Sequence, residues 1–240
     1  MSEEKKIVSG NDLEEDGELT LFEGQPFSGI CCNYSKNGQK DHETYYRDGK
    51  REGLDSEWYI KGQKSQGYYK DGKEDGVWTT WYKDGEKQSR KFYKNGKLNG
   101  NQTEWYEDGQ KKYKRHYKDG KEDGLWTGWY KSGKKRSERN WKEDGVSTCW
   151  YENRQKKSEV HCKDGKEHGL WISWYENGKK EREGNLKDGE FDGLWTEWNE
   201  SGKKKVEKHY KDGKENGLWT EWDEDGKKTF QGNFVNGNEQ

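Results

Sequence analysis

A glycine placed every two dozen residues constrains this 240-residue chain more than any other feature. Of its 32 glycines, 14 follow Asp and 6 follow Asn, and such dipeptides supply the left-handed backbone that tight hairpin turns require. Aligning on the glycine before each aromatic segment gives Gly29, Gly53, Gly76, Gly100, Gly124, Gly145, Gly169, Gly193 and Gly217. The steps are 24, 23, 24, 24, 21, 24, 24 and 24 residues. A fixed period of this length is the mark of a repeat architecture. Helix is excluded across the array, because a glycine every few residues removes about 1 kcal/mol of helix stability at each occurrence.

Each unit reads as two strands. From the aligned glycine a short segment rich in aromatics and Thr runs outward, as in Leu125-Trp126-Thr127-Gly128-Trp129. A Lys- and Glu-rich segment then returns to the next Asp-Gly. The expectation is an all-β fold, an elongated single-layer antiparallel sheet of tandem hairpins of about 24 residues. Residues 1–24 form an acidic leader or cap, residues 25–237 an array of about nine repeats, and residues 238–240 a tail. One unit, near 141–154, is three residues short and carries Arg154 where its siblings have the hairpin glycine.

Comparing units within the chain separates fixed from variable positions. Five residues beyond the aligned glycine stand Tyr34 and then eight tryptophans without a break: Trp58, Trp81, Trp105, Trp129, Trp150, Trp174, Trp198 and Trp222. Position +2 is looser, with Trp78, Trp126, Trp171, Trp195 and Trp219 but also Asp55, Gln102 and Ser147. Position +6 is Tyr from Tyr59 to Tyr175, and the return strand has its own column in Tyr46, Tyr69, Tyr93, Tyr117, Trp141, Cys162, Leu186, Tyr210 and Phe234. Strand side chains alternate, so +1, +3 and +5 share one face while +2, +4 and +6 share the other. The unbroken +5 column is expected to be the structural stack. The variable +2/+6 face is the candidate binding surface: Trp78, Trp126, Tyr130, Trp171, Tyr175, Trp195 and Trp219.

Composition explains why such an array can fold at all. Hydrophobic residues are 25% of the chain and aromatics 15%, which leaves too few aliphatics for an ordinary globular core. Disorder is disfavoured, since 14 Trp and 15 Tyr can each bury a large area and there is a single proline. With 46 Lys+Arg against 48 Asp+Glu, the net charge of −2 argues against nucleic acid and against simple attraction to an anionic membrane. The start, Met1-Ser2-Glu3-Glu4-Lys5-Lys6, has no apolar stretch behind it, which predicts a cytoplasmic protein. Cys31, Cys32, Cys149 and Cys162 show no spaced framework and read as free thiols.

No catalytic, cofactor or metal signature is present. The histidines are His42, His116, His161, His168 and His209, and three of them share one return-strand column about two repeats apart. Strand spacing puts such neighbours roughly 19 Å apart, too far to share a zinc ion, so they read as isolated surface histidines. The Asp-Gly turns follow no calcium-loop order. The expectation is a non-enzymatic scaffold that needs no cofactor.

The unit Asp119-Gly120-Lys121-Glu122-Asp123-Gly124-Leu125-Trp126-Thr127-Gly128-Trp129-Tyr130-Lys131-Ser132-Gly133-Lys134-Lys135, with near-copies at 164–180, 188–204 and 212–228, resembles the MORN-type repeat. It is closest in pattern to the MORN-2 variant of bacterial proteins of the YwqK antitoxin type. The segment from Glu15-Asp16-Gly17 to Pro26-Phe27-Ser28-Gly29 is similar to the entry segment of those proteins. The resemblance implies a hairpin-repeat scaffold that recognises another protein, a toxin in the antitoxin case. The unusual Trp content, Arg154 and the shortened unit depart from the pattern. The alternative is binding of a small ligand, choline or a glycan, or of lipid headgroups at a membrane surface, by the aromatic face.

Overall fold

The computed structural model describes residues 6–140 and 144–240. Residues 141–143, Trp141 among them, in the unit that is three residues short, lie outside the described residues. The chain divides into two compact units, Met1–Glu122 and Asp123–Gln240.

In the first unit, outgoing and return strands alternate from Gly29–Tyr34 and Lys40–Arg47 through Gly100–Trp105 and Lys111–Lys118. Consecutive strands pair antiparallel, with registers such as Gly100 opposite Tyr117 and Gln102 opposite Arg115. The leader adds more than a polar cap. Ile7–Val8 pairs in parallel with Gly29–Tyr34, and Leu13–Asp16, Leu19–Phe22 and Gln25–Pro26 form a small sheet of their own. Val8, Phe27 and Cys31 are buried together, with Leu13, Phe22 and Tyr46 packed around them. The leader's Val8, Leu13 and Phe22 thus close on Phe27 and the first rung as an apolar plug.

In the second unit the same alternation runs from Leu125–Trp129 to Lys228–Val235, with Asn238–Glu239 folded back on the last strand. Each sheet is a single layer of antiparallel hairpins, as the periodicity predicts. Among the described residues of this unit, no helix covers either face.

Turn chemistry explains the hairpins. Asp71-Gly72, Asn95-Gly96, Asp164-Gly165 and Asp212-Gly213 each place two successive residues at positive φ, the type I′ pattern. These turns are also tied sideways, since the Gly96 N–H donates to the Glu74 carbonyl at 2.8 Å and the Gly189 N–H to that of Glu167 at 2.8 Å. Arg154 adopts φ +73 in the hairpin turn where other units use glycine, so this side chain occupies a conformation disfavoured by about 1 kcal/mol.

One regularity was invisible in the one-dimensional pattern. Every outgoing strand ends in a β-bulge just before its +5 residue, as at Thr80/Trp81, Ser173/Trp174 and Glu197/Trp198. The return strand carries the extra residue, which lets Lys and Glu three apart, such as Lys180 and Glu183, form an ion pair.

Candidate functional site

The two faces of each sheet are built differently, and the reason lies in what stands between equivalent residues of neighbouring repeats. Two +5 tryptophans are separated by a return strand, hence by about 9.6 Å, beyond the 4.5–7 Å range of ring contact. Lysines of the return strand bridge the gap. Lys135, Lys156 and Lys180 hold their Nζ 5.4, 5.8 and 5.8 Å from the ring centroids of Trp150, Trp174 and Trp198. Each of these lysines also pairs with the glutamate three residues on: Glu138, Glu159 or Glu183. The +5 column is therefore a ladder of alternating rings and ammonium groups, and its tryptophans stay half-buried.

Position +2 differs at Trp195, which is buried, while Trp78, Trp126, Trp171 and Trp219 are half-buried like the +5 tryptophans. Across the return strand Trp171 faces Gly184, which has no side chain to keep rings apart. Trp195 lies over that glycine, where an added Cβ would sit 2.3 Å from its Cε3. Trp171 and Trp195 accordingly stack at 5.2 Å with a 21° interplanar angle, and Phe191 joins at 4.5 Å from Trp195. Trp195 is only 8% exposed. Beside it Val160, Cys162 and Leu186 form a buried cluster against Trp171. The first unit repeats the device: Trp78 covers Gly67 and meets Tyr69 edge-on at 5.3 Å. Sequence variation at +2 was misleading because Asp55 and Gln102 are buried there too, as polar substitutes.

The remaining nominated residues have these places. Trp219 contacts Phe230 and Phe234, with the Lys208 Nζ 3.6 Å above its ring. Trp126 is half-buried and lies opposite Arg139. Tyr130 and Tyr175 donate their hydroxyls to the backbone carbonyls of Trp150 and Trp198, at 2.7 and 2.8 Å. Burial of these phenols pushes their pKa values up. The +6 tyrosines are thus ties between repeats. Of the seven, the structure brings Trp171 and Trp195 into direct contact.

Two features escaped sequence reasoning. In the second unit the +1 residues Leu125, Val146, Leu170, Leu194 and Leu218 stand 37–52% exposed, on the face of the lysine–tryptophan ladder. They alternate with Asn140, His161, Asn185, His209 and Asn233 of the return strands. His161 and His209 bond through Nδ1 to the carbonyls of Leu170 and Leu218, at 3.1 and 3.2 Å. The leucine at +1 of the pattern was the available signal.

The second feature is a polar trio at the start of the first unit. The buried Asp55 carboxylate accepts from Thr44 Oγ1 at 2.7 Å and lies 3.0 Å from His42 Nε2. That hydrogen bond, opposed by desolvation, holds the His42 pKa above the usual histidine value. Thr44 reaches the same ring nitrogen at 2.9 Å. Because hydroxyl and carboxylate share Nε2, the ring cannot pass a proton from one side to the other as a catalytic triad does. His42 is therefore a partner of a buried acid.

Among the described residues no group of three or more His, Cys, Asp or Glu is placed to hold a metal ion. The four cysteines are free, and burial raises the pKa values of Cys31, Cys32 and Cys162. Among the described residues no helix is long and apolar enough to cross a membrane.

Residues 74–95, 98–119, 122–143, 167–188, 191–212 and 215–236 match the profile of the MORN repeat variant and together span more than half of the chain. The matched stretches skip the first two repeats and the one containing Ser147 and Arg154. No curated protein matches the chain.

Proposed function

The chain belongs to the MORN repeat variant family, and on that premise we propose that it is a non-catalytic scaffold that recognises another protein in the cytoplasm. The observation that carries this reading is the row Leu125, Val146, Leu170, Leu194 and Leu218. Aliphatic side chains this exposed, aligned on one face, are the kind of surface that association covers. Half-buried tryptophans at +5 border the row with the large rings common at interface hot spots. The adjacent Lys–Glu pairs, alternating in sign, favour a protein partner over an anionic membrane surface.

The partner class that fits the antitoxin resemblance is a toxin, with the row as its docking face. The test is capture of a partner from the native host lysate by the intact protein and by a Leu170→Ser/Leu194→Ser variant. These side chains are largely in solvent, so the variant should keep its circular dichroism and melting behaviour. Loss of the captured protein supports the reading; undiminished capture refutes the assigned face.

The opposite face is the second candidate. Trp78, Trp126, Trp171 and Trp219 are half-buried there. A choline, glycan or lipid-headgroup reading rests on those partly exposed rings. A Trp126→Ala/Trp171→Ala variant that loses such a ligand, yet still captures the protein partner, would assign the ligand to this face.

A further inference from the structure

The first unit contains a groove on the ladder face that the other observations leave unused. In four repeats the residue one before the return-strand column stands over the aligned glycine. Tyr45, Phe92, His161 and His209 place their Cβ 3.5, 3.4, 3.5 and 3.1 Å from where a side chain at Gly53, Gly100, Gly169 and Gly217 would begin. Tyr68 is the counterpart for Gly76, but it stands away. Nothing lies within 4 Å of the corresponding point at Gly76, and Tyr68 is 53% exposed. The floor is bare at Gly76 as it is at Gly193, and at Gly76 an exposed phenol ring stands beside it.

The groove measures about 520 Å³ and includes Gly53, Gly76, Tyr45, Tyr68 and Tyr69. Its rim carries Arg47, Glu52, Lys70 and Asp75, two cations and two carboxylates. Some of this rim is held in place by the turns: Glu52 accepts from the Asp71 N–H at 2.8 Å and lies 3.7 Å from Arg47, and Asp75 accepts from the Asn95 N–H at 3.2 Å. Both glycines have positive φ, +106 and +86, a backbone that favours glycine, and at Gly76 the floor is open.

We propose that this groove binds a pyranose ring of a glycan. The rim has no net charge, which selects against phosphate and against quaternary ammonium alike. A sugar ring has an apolar face to lay on tyrosine and hydroxyls around its edge that both donate and accept. Carboxylates accept from those hydroxyls while guanidinium and ammonium groups donate to them. The side-chain-free floor admits a ring of that thickness, and the open groove lets a chain enter and leave. This site is independent of the leucine row, which lies in the other unit.

Saturation-transfer NMR on the full-length protein tests the assignment, with methyl β-glucopyranoside and the methyl glycoside of N-acetylglucosamine at millimolar concentration. Tetramethylammonium and inorganic phosphate serve as charged comparators. Binding of at least one glycoside is expected, weakened about tenfold or more by Tyr68→Ala and retained by Tyr68→Phe, which keeps the ring. Circular dichroism of Tyr68→Ala confirms that the exposed residue was removed without unfolding. Absence of transfer to both glycosides overturns the proposal. So does transfer that persists in Tyr68→Ala, which would place the sugar on another aromatic, or preferential binding of either charged comparator.

Discussion

Replacing Trp195 by alanine removes the ring that covers Gly184, stacks on Trp171 and abuts Phe191. A tryptophan ring of roughly 150–250 Å², almost fully buried, is worth about 4–6 kcal/mol at roughly 25 cal/mol per Å². The denatured chain already hides part of that area, so the lower end applies, and measured Trp→Ala effects of about 3–5 kcal/mol agree. Trp195→Ala is therefore expected to destabilise its repeat by about 4 kcal/mol. Trp198, three residues along the same strand, keeps one side toward solvent beneath Lys180. Its removal should cost about 2 kcal/mol, roughly half as much. Repeat proteins seldom unfold in one step, so a single midpoint would blur the comparison. Native-state hydrogen exchange resolves it, read at the amides of Gly193–Trp198 and Lys180–Lys187. The reasoning fails if Trp198→Ala lowers the local opening free energy more than Trp195→Ala does. That outcome would restore the +5 column as the structural stack.

Three further expectations follow from the same geometry. Gly184→Val should push the Trp195 ring off its floor and destabilise the second unit by about 3 kcal/mol; urea titration reports it, and a neutral result would mean the ring can move aside freely. Tyr175→Phe removes the hydroxyl donated to the Trp198 carbonyl and should cost about 1 kcal/mol, visible as faster exchange at that turn. His42 has a folded pKa raised above its unfolded value of about 6.5, so its charge stabilises the fold below that pH and ceases to do so as pH rises through the folded pKa. The stability difference between wild type and His42→Gln should be largest in mildly acidic buffer and shrink towards alkaline pH. A difference that stays flat from pH 5 to pH 9 would show that the Asp55 contact does not favour the charged ring.

Much of the architecture was legible because it is written in local chemistry. Asp-Gly and Asn-Gly demand positive φ wherever they occur, and strand alternation follows from backbone geometry, so hairpins, period and face membership could be read directly. The seven nominated aromatics were less legible. Variability at +2 suggested a dispensable surface, yet Asp55 is buried with Thr44 and His42 as partners, and Trp195 is buried by neighbours in other strands. An unbroken tryptophan column suggested a stack, yet its members lie two strands apart and meet lysines instead.

The amino-acid sequence by itself determined that this chain turns every two dozen residues, extends between turns and alternates its side chains, since each of those properties depends on residues adjacent along the backbone. Tertiary structure alone decided where rings close on one another and where they are held apart. That choice depends on the residue supplied by the neighbouring strand at each rung. Gly184 opposite Trp171 lets two rings close together, whereas Lys156 or Lys180 between +5 tryptophans keeps their column half in water. The same dependence leaves Gly76 bare while Gly53, Gly100, Gly169 and Gly217 are covered by a residue of the preceding return strand.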